Sequence, residues 1–294
     1  MNAETVIVGY DGSPSSRVAL ALAAREASHR GATLRIVHAY VWPVLYATLA
    51  NIPLRSEDWR PAEAAYGMLA EMRARLAADY PDLAIEPVVV SGAGGPVLVD
   101  QSEGAAVVVV GRSGVGGVAG LLAGSVADHV VAHAHCPVLV TARAETGEHQ
   151  HICVGVDGGP SSINALRVGA DWAERHAAKL EVLSIDEDGH ESHTGQEIEN
   201  QIALVGAAHP AVPISHTRTA GDPYGMLAAH ARTADLLVIG VPRPGRASNG
   251  LPFTSIGRRL VHAATCPVLV VPGPVVLGPS TAETLVASGE TAGT

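Results

Sequence analysis

Val6-Ile-Val-Gly9-Tyr-Asp11-Gly-Ser13-Pro-Ser-Ser16 recurs later in the chain as Ile152-Cys-Val-Gly155-Val-Asp157-Gly-Gly159-Pro-Ser-Ser162, at an offset of 146 residues. Each copy is a short β-branched run that ends on Asp-Gly and enters Pro-Ser-Ser. β-Branched residues suit a pleated strand, Asp-Gly suits a tight turn, and Pro suits the first position of a helix. The segment therefore predicts strand, turn and helix, twice. Two more landmarks repeat in the same order. Val107-Val-Val-Val-Gly111 returns as Leu236-Leu-Val-Ile-Gly240 at an offset of 129, and His135-Cys-Pro-Val-Leu-Val140 returns as Thr265-Cys-Pro-Val-Leu-Val270 at an offset of 130. Ordered landmarks at a domain-sized spacing predict a tandem pair rather than a solenoid. The offset falls by 17 residues mid-copy, where only the first copy carries the run WPVLYATLANIPLRSEDW at 42–59.

Working outward, the first copy alternates. Strands are predicted at 5–10, 33–40, 85–90, 106–110 and 137–141, with helices opening at Pro14, Pro61, Pro96 and Ser125. Ser13 is the N-cap of the first helix and Gly31 its stop. Met68, Leu69, Met72 and Leu76 have helical spacing within the second helix. In the second copy, strands are predicted near 151–156, 180–185, 214–219, 235–239 and 267–271. Alternating apolar strands and helices imply a parallel sheet covered on both faces. The predicted fold is α/β: two tandem doubly wound, Rossmann-like domains with five-stranded parallel sheets. The domains are placed at 1–143 and 150–272. An aperiodic Gly/Pro/Ser/Thr tail at 273–294 is predicted to be disordered.

Composition bounds the function. Of 294 residues, 47% are hydrophobic and 16% charged, with mean hydropathy +0.23, enough for a real core and too apolar for global disorder. No apolar run reaches the roughly 18 residues of a membrane span, and the N-terminal stretch lacks the pattern of a secretory signal. Three cysteines, Cys136, Cys153 and Cys266, fit a reducing compartment, so a cytoplasmic protein is expected. A net charge of −10 disfavours general nucleic-acid binding. Lys179 is the sole lysine and no Gly-Lys pair exists, which excludes a P-loop.

In a doubly wound sheet, ligands bind beyond the carboxyl ends of the strands at the switch point. Asp11 ends the first strand, and the fourth runs into Gly111-Arg-Ser-Gly-Val-Gly-Gly-Val-Ala-Gly-Leu-Leu-Ala-Gly-Ser125. Glycines let backbone N–H groups converge on an anion, and the helix opening at Ser125 adds a positive dipole end. Ser125 and Asp128 have capping-box spacing. The plainer readings are a flexible loop for the glycines, a local Asx turn for Asp11 and a solvated loop residue for Arg112.

Gly111-x2-Gly114-x9-Gly124-Ser125 resembles the G-x2-G-x9-G-[ST] nucleotide motif of the universal stress protein family. The GYDGSPSS opening and the His-Cys-Pro-Val-Leu-Val ending are similar to that family too, and the tandem layout resembles its mycobacterial and actinobacterial members. The resemblance spans about 4–142 and 151–271. It implies ATP binding, with Mg²⁺, and little or no turnover. Adenine would lie near Ala39 and Gly111, ribose and phosphate beside Gly9 and Asp11, and phosphates on Gly114, Gly117, Gly124 and Ser125, with Arg112 adding charge. It further implies that the two copies pair through their last strands, and it makes a homodimer of the whole chain plausible.

The second copy keeps Gly155, Asp157, Gly240 and Ser255 but departs elsewhere. Gly124 becomes Thr254, Arg243 stands three residues after Gly240, and Pro242, Pro244 and Pro252 remove N–H donors. Weaker or absent ATP binding is expected there, with Arg243 and Arg246 as substitutes for lost donors. Asp128 becomes Arg258, unfavourable in a first helical turn unless an anion is near. Two other functional classes stay in view. An adenylyl-transferring enzyme of related fold would need a HxGH or SGGxDS signature, and neither is present. A dimerisation module with decayed sites suits the second copy better. His129, His133, His135, Cys136, His149, His151 and Cys153 crowd together in sequence, but a metal site needs convergence in space. Helix-end and surface histidines are the plainer reading.

Overall fold

The structure, a computed structural model, describes residues 4–41, 61–113, 125–142, 150–186, 195–242 and 255–274. The first half runs β1 (Thr5–Gly9), α1 (Pro14–Arg30), β2 (Thr33–Tyr40), α2 (Pro61–Asp79), β3 (Ile85–Ser91), α3 (Gly94–Gln101), β4 (Val107–Val110), α4 (Ser125–His133) and β5 (Val138–Val140). The second runs β6 (His151–Val156), α5 (Pro160–Arg175), β7 (Lys179–Asp186), α6 (Gly195–Ala208), β8 (Ile214–Ala220), α7 (Pro223–His230), β9 (Leu236–Val241), α8 (Ser255–Ala263) and β10 (Val268–Pro272). The predicted tail lies outside the described residues except for its first two, and so does the run 42–59. No described helix is long and apolar enough to cross a membrane.

Local chemistry sets the helix ends. Ser13 is extended, and its Oγ accepts the Ser16 N–H at 3.1 Å. Gly31 closes α1 in the left-handed region at φ 60°, donating back to the Ala27 and Ser28 carbonyls. In α5 the cap position is Gly159, which has no side chain to offer.

Strand order is β3-β2-β1-β4-β5 in the first half and β10-β9-β6-β7-β8 in the second, all parallel within each half. β5 and β10 pair antiparallel, so the two five-stranded sheets form one ten-stranded sheet. The last strands, edges of their own halves, therefore lie mid-sheet. The outer edges are β3 and β8. Leu139 stands opposite Leu269, its own counterpart in the repeat. A residue that faces its counterpart lies on a local pseudo-twofold axis.

Helices α1, α2, α5 and α6 cover one face of the sheet, and α3, α4, α7 and α8 cover the other. On each face the core is continuous across both halves. Val6, Val8, Leu139, Ile152, Val154, Trp172 and Leu269 share one cluster, while Ile7, Val108, Val138, Leu237 and Val268 share the other. All four valines of β4 are buried, as a strand covered on both sides requires.

The seam also carries charge. On the α1/α5 face, Glu26 is 3.1 Å from His176, with side chains only 2% and 5% exposed. Arg30 pairs with Glu26 and lies 5.0 Å over the Trp172 ring. On the α4/α8 face, Asp128 Oδ2 accepts from Arg258 at 2.9 and 3.1 Å, and Asp128 Oδ1 is 2.8 Å from His262 Nε2. Arg258, misplaced by the dipole argument, thus has its anion: the counterpart residue of the other half. Asp128 faces across the seam, and α4 already includes Ser125, so the expected capping box gives way to an interdomain contact.

Candidate functional site

The β1–α1 crossover leads to β2 on one side of β1, while β4 lies on the other. The switch point is therefore between β1 and β4, where the sequence placed the site. Asp11 follows β1 and is exposed; its Oδ1 accepts the Ser13 N–H at 3.0 Å, an Asx turn supported by Gly12 at φ 80°. The turn is anchored from β2: His38 Nδ1 donates to the Tyr10 carbonyl at 2.8 Å, and the Tyr10 N–H donates to the Val37 carbonyl at 2.9 Å.

Gly111 has a steric reason to be glycine. A Cβ there would lie 2.5 Å from Ser15 Oγ and 2.8 Å from the Ser15 carbonyl carbon. Its bareness lets the first turn of α1 press against the end of β4. Ser113 N–H then donates to Ser15 Oγ at 3.3 Å. The structure thus gathers Gly111, Ser113 and Ser15 at the N-terminus of α1, just beyond the Asp11 turn. Ser15 was not singled out from sequence. Its signal was available: Ser15 and Ser161 hold the same place in both repeats, and both crowd the glycine that ends the fourth strand.

The other expected residues fall as follows. Gly9 ends β1, where a Cβ would meet Leu98 Cδ1 at 2.8 Å, so its smallness serves the packing of α3. Ala39 is half-buried near the end of β2. Ser125 is exposed and opens α4. Gly114, Gly117 and Gly124 lie outside the described residues. Arg112 departs from both of its sequence readings. It is only 9% exposed, and its guanidinium donates to the Ala264 carbonyl at 2.6 Å and the His262 carbonyl at 3.1 Å. The carbonyls ending α8 are ready acceptors for a cation, so Arg112 ties the two halves together.

The second half repeats the frame with altered chemistry. Gly158 is again left-handed, at φ 82°. Leu227 packs over Gly155 as Leu98 does over Gly9, and a side chain on Gly240 would overlap the Ser161 carbonyl. Ser255 opens α8. The difference lies at the cap. With Gly159 in place of Ser13 the cap has no side chain, and Ser162 Oγ donates toward Asp157 Oδ1 at 2.6 Å and the Gly159 carbonyl at 3.0 Å. The Gly159 N–H donates to Asp157 Oδ1 at 2.8 Å. In the first half Ser16 Oγ likewise donates to the Ser13 carbonyl at 3.0 Å.

Fold and site define a class: a tandem doubly wound α/β protein with its crevice at a strand switch point. The chain belongs to the universal stress protein family, whose family model matches residues 2–142 and again 148–272. A universal stress protein of Mycobacterium tuberculosis is 38% identical over 287 residues, covering 90% of this chain and 96% of the relative. The crystal structure of a universal stress protein from Archaeoglobus fulgidus superposes with a TM-score of 0.72 at 15% identity, covering 92% of this chain and 99% of that one. Another universal stress protein, 32% identical with a TM-score of 0.32, matches 47% of this chain over 95% of its own length, and its structure is a complex with cAMP.

Proposed function

We propose that the chain is an ATP-binding, nucleotide-dependent stress regulator that turns ATP over slowly or not at all. The observation that carries this reading is the Gly111–Ser15 approach. It sets the N-terminus of α1 and the Asp11 turn beside the end of β4, from which the glycine spacing 111, 114, 124 leads into the opening of α4 at Ser125. Two helix N-termini and a glycine-rich backbone suit a polyphosphate. Gly9, Asp11, Ala39, Gly111, Gly114, Gly117, Gly124 and Ser125 form the proposed site. Arg112 acts behind it as a tie across the seam. The exposed Asp11 carboxylate fits a hard cation, and it would hold Mg²⁺ together with phosphate oxygens. Bound there, Mg²⁺ would supply charge neutralisation.

Turnover is disfavoured by what the first half lacks. It has no lysine to reach a β/γ-phosphate. His38 is turned onto the Tyr10 carbonyl. In the second half, Thr254 in place of Gly124 and the prolines at 242, 244 and 252 favour weak or absent binding at Gly155, Asp157, Gly240 and Ser255. A cytoplasmic setting and a homodimer of the whole chain complete the reading.

Calorimetric titration of the full chain with Mg-ATP tests it. One tight site per chain is expected. Asp11→Ala should weaken it at least about tenfold, the scale of one charge-assisted contact. Mass spectrometry of the ligand that co-purifies should find adenine nucleotide. Two equivalent tight sites would refute the asymmetry, and absence of binding, or rapid phosphate release, would refute the reading itself.

A further inference from the structure

At the opposite pole, the amino ends of the second half's strands, three side chains of metal-ligand type meet beneath α7, with His151 against one of them. The donor atoms of Cys153 on β6, Glu181 on β7 and His230 at the end of α7 all lie within 4.8 Å of one another. Glu181 Oε2 is 3.2 Å from His230 Nδ1 and 3.1 Å from His151 Nε2, and Glu181 Oε1 accepts from Thr217 at 3.2 Å. Cys153 is fully buried, while Glu181, His230 and His151 are mostly so.

The repeat supplies an internal control. Strand register and helix offsets place Thr5, Ile7, Arg35 and Gln101 where the second half has His151, Cys153, Glu181 and His230. In the first half Arg35 donates to Gln101 at 3.3 Å and to Glu86 at 2.9 Å. That is an ordinary polar contact beside a buried Ile7. In the second half all four places carry donor types that bind transition metals. The geometry points to a divalent transition-metal site of zinc type, with Cys153, Glu181 and His230 as ligands, a position left for water, and His151 holding the Glu181 carboxylate from outside.

Spacing supports this assignment. Bonds of about 2.0–2.3 Å in a tetrahedral site put neighbouring donors about 3.3–3.6 Å apart. The His230–Glu181 separation is already near that, and the sulfur lies within 4.8 Å of both. A set of nitrogen, oxygen and sulfur donors suits zinc and excludes magnesium or calcium, which take oxygen. Burial, with help from the Glu181 and Cys266 charges, pushes the Cys153 thiol far up, so without metal it is no reactive thiolate. Metal binding forms the metal–sulfur bond and releases the thiol proton to solvent. The bound ion would pin the carboxyl end of α7 to β6 and β7. The proposal does not depend on nucleotide binding.

Titrating the full chain with Co²⁺ is the test. One equivalent should produce a thiolate-to-cobalt charge-transfer band, and Zn²⁺ should abolish it by displacement. Cys153→Ala should remove the band. Glu181→Gln and His230→Gln, the second of which installs the first half's residue, should each weaken binding at least about tenfold. His133→Gln, remote from the cluster, should change nothing. Melting in the absence of metal shows which variants are folded; the two glutamine variants carry the test if Cys153→Ala is not. The proposal is overturned by no band at stoichiometric Co²⁺, by a band that survives Cys153→Ala, or by affinity indifferent to Glu181→Gln and His230→Gln.

Discussion

Replacing Glu26 by alanine probes the seam where it is driest. The Glu26, His176 and Arg30 side chains are 2%, 5% and 10% exposed. Burial alone would push the Glu26 carboxyl up, but the His176 hydrogen bond and the Arg30 charge outweigh it and hold the group below the usual carboxylate range. Removing the carboxylate takes the buried anion from a guanidinium that keeps Glu4 at 3.4 Å and from an imidazole that keeps the Trp172 carbonyl at 2.9 Å. Breaking a buried pair from one side costs about 3–5 kcal/mol. At about 2–4 °C per kcal/mol for large domains, the melting temperature should fall by roughly 6–20 °C. The sign of the pH dependence follows. A carboxylate with a depressed folded-state pKa adds stability that is present above its unfolded value and is lost as pH falls through the folded value. The gap between wild type and Glu26→Ala should therefore be widest near neutrality and shrink well below pH 4.5. Urea denaturation of both proteins from neutral to acid pH measures it. A loss under about 1 kcal/mol at pH 7, or a gap that does not narrow in acid, would refute the claim that this cluster holds the halves together.

Other perturbations follow from the same geometry. Arg112→Met removes donors from two carbonyls and should cost about 1–3 kcal/mol in urea denaturation. Asp128→Arg should cost under about 1 kcal/mol, since Arg258 is 57% exposed. The swap Asp128→Arg with Arg258→Asp should recover part of that loss. Gly111→Ala forces Ser15 and the α1 N-terminus off β4 and should cost about 1–3 kcal/mol. It should also weaken Mg-ATP binding in titration, whereas Gly31→Ala, with open space around it, strains only the left-handed cap and should leave binding intact.

The fold was legible because its signals are local and occur twice. β-Branched runs marked the strands, Pro opened α1, α2 and α5, and Gly31 ended α1 where it was placed, whereas α3 opens at Gly94, two residues ahead of the expected Pro96. The alternation dictated a parallel sheet. Less legible was whatever depends on the other half. Asp128 has capping-box spacing, yet its carboxylate crosses the seam to Arg258 and His262, and no one-copy pattern contains that information. Arg112 looked like a loop cation because its acceptors lie about 150 residues away in the chain. Histidines and cysteines crowd near the linker in sequence, and among the described residues of that group His151 and Cys153 approach Glu181 and His230. Those two partners come from another strand and a helix end, reachable only by aligning the repeats position by position.

The axis positions show how the halves specify one another. A residue near a pseudo-twofold axis meets its own counterpart, so two identical copies would set Asp128 against Asp128, or Arg258 against Arg258. Like charges so placed repel, and the present chain sets one of each sign there instead. On the other face, Glu26 and Arg30 have Trp172 and His176 as counterparts, and they meet crosswise: Glu26 with His176, Arg30 with Trp172. The first half thus supplies charge, and the second a ring and an imidazole to receive it. Divergence at the seam favours pairing within the chain over pairing between like halves. Once the two halves are bound as unlike partners, their poles are no longer tied by symmetry. The first half can keep the glycine spacing at its carboxyl pole while the second gathers metal-type donors at its amino pole, without either change being imposed on its twin.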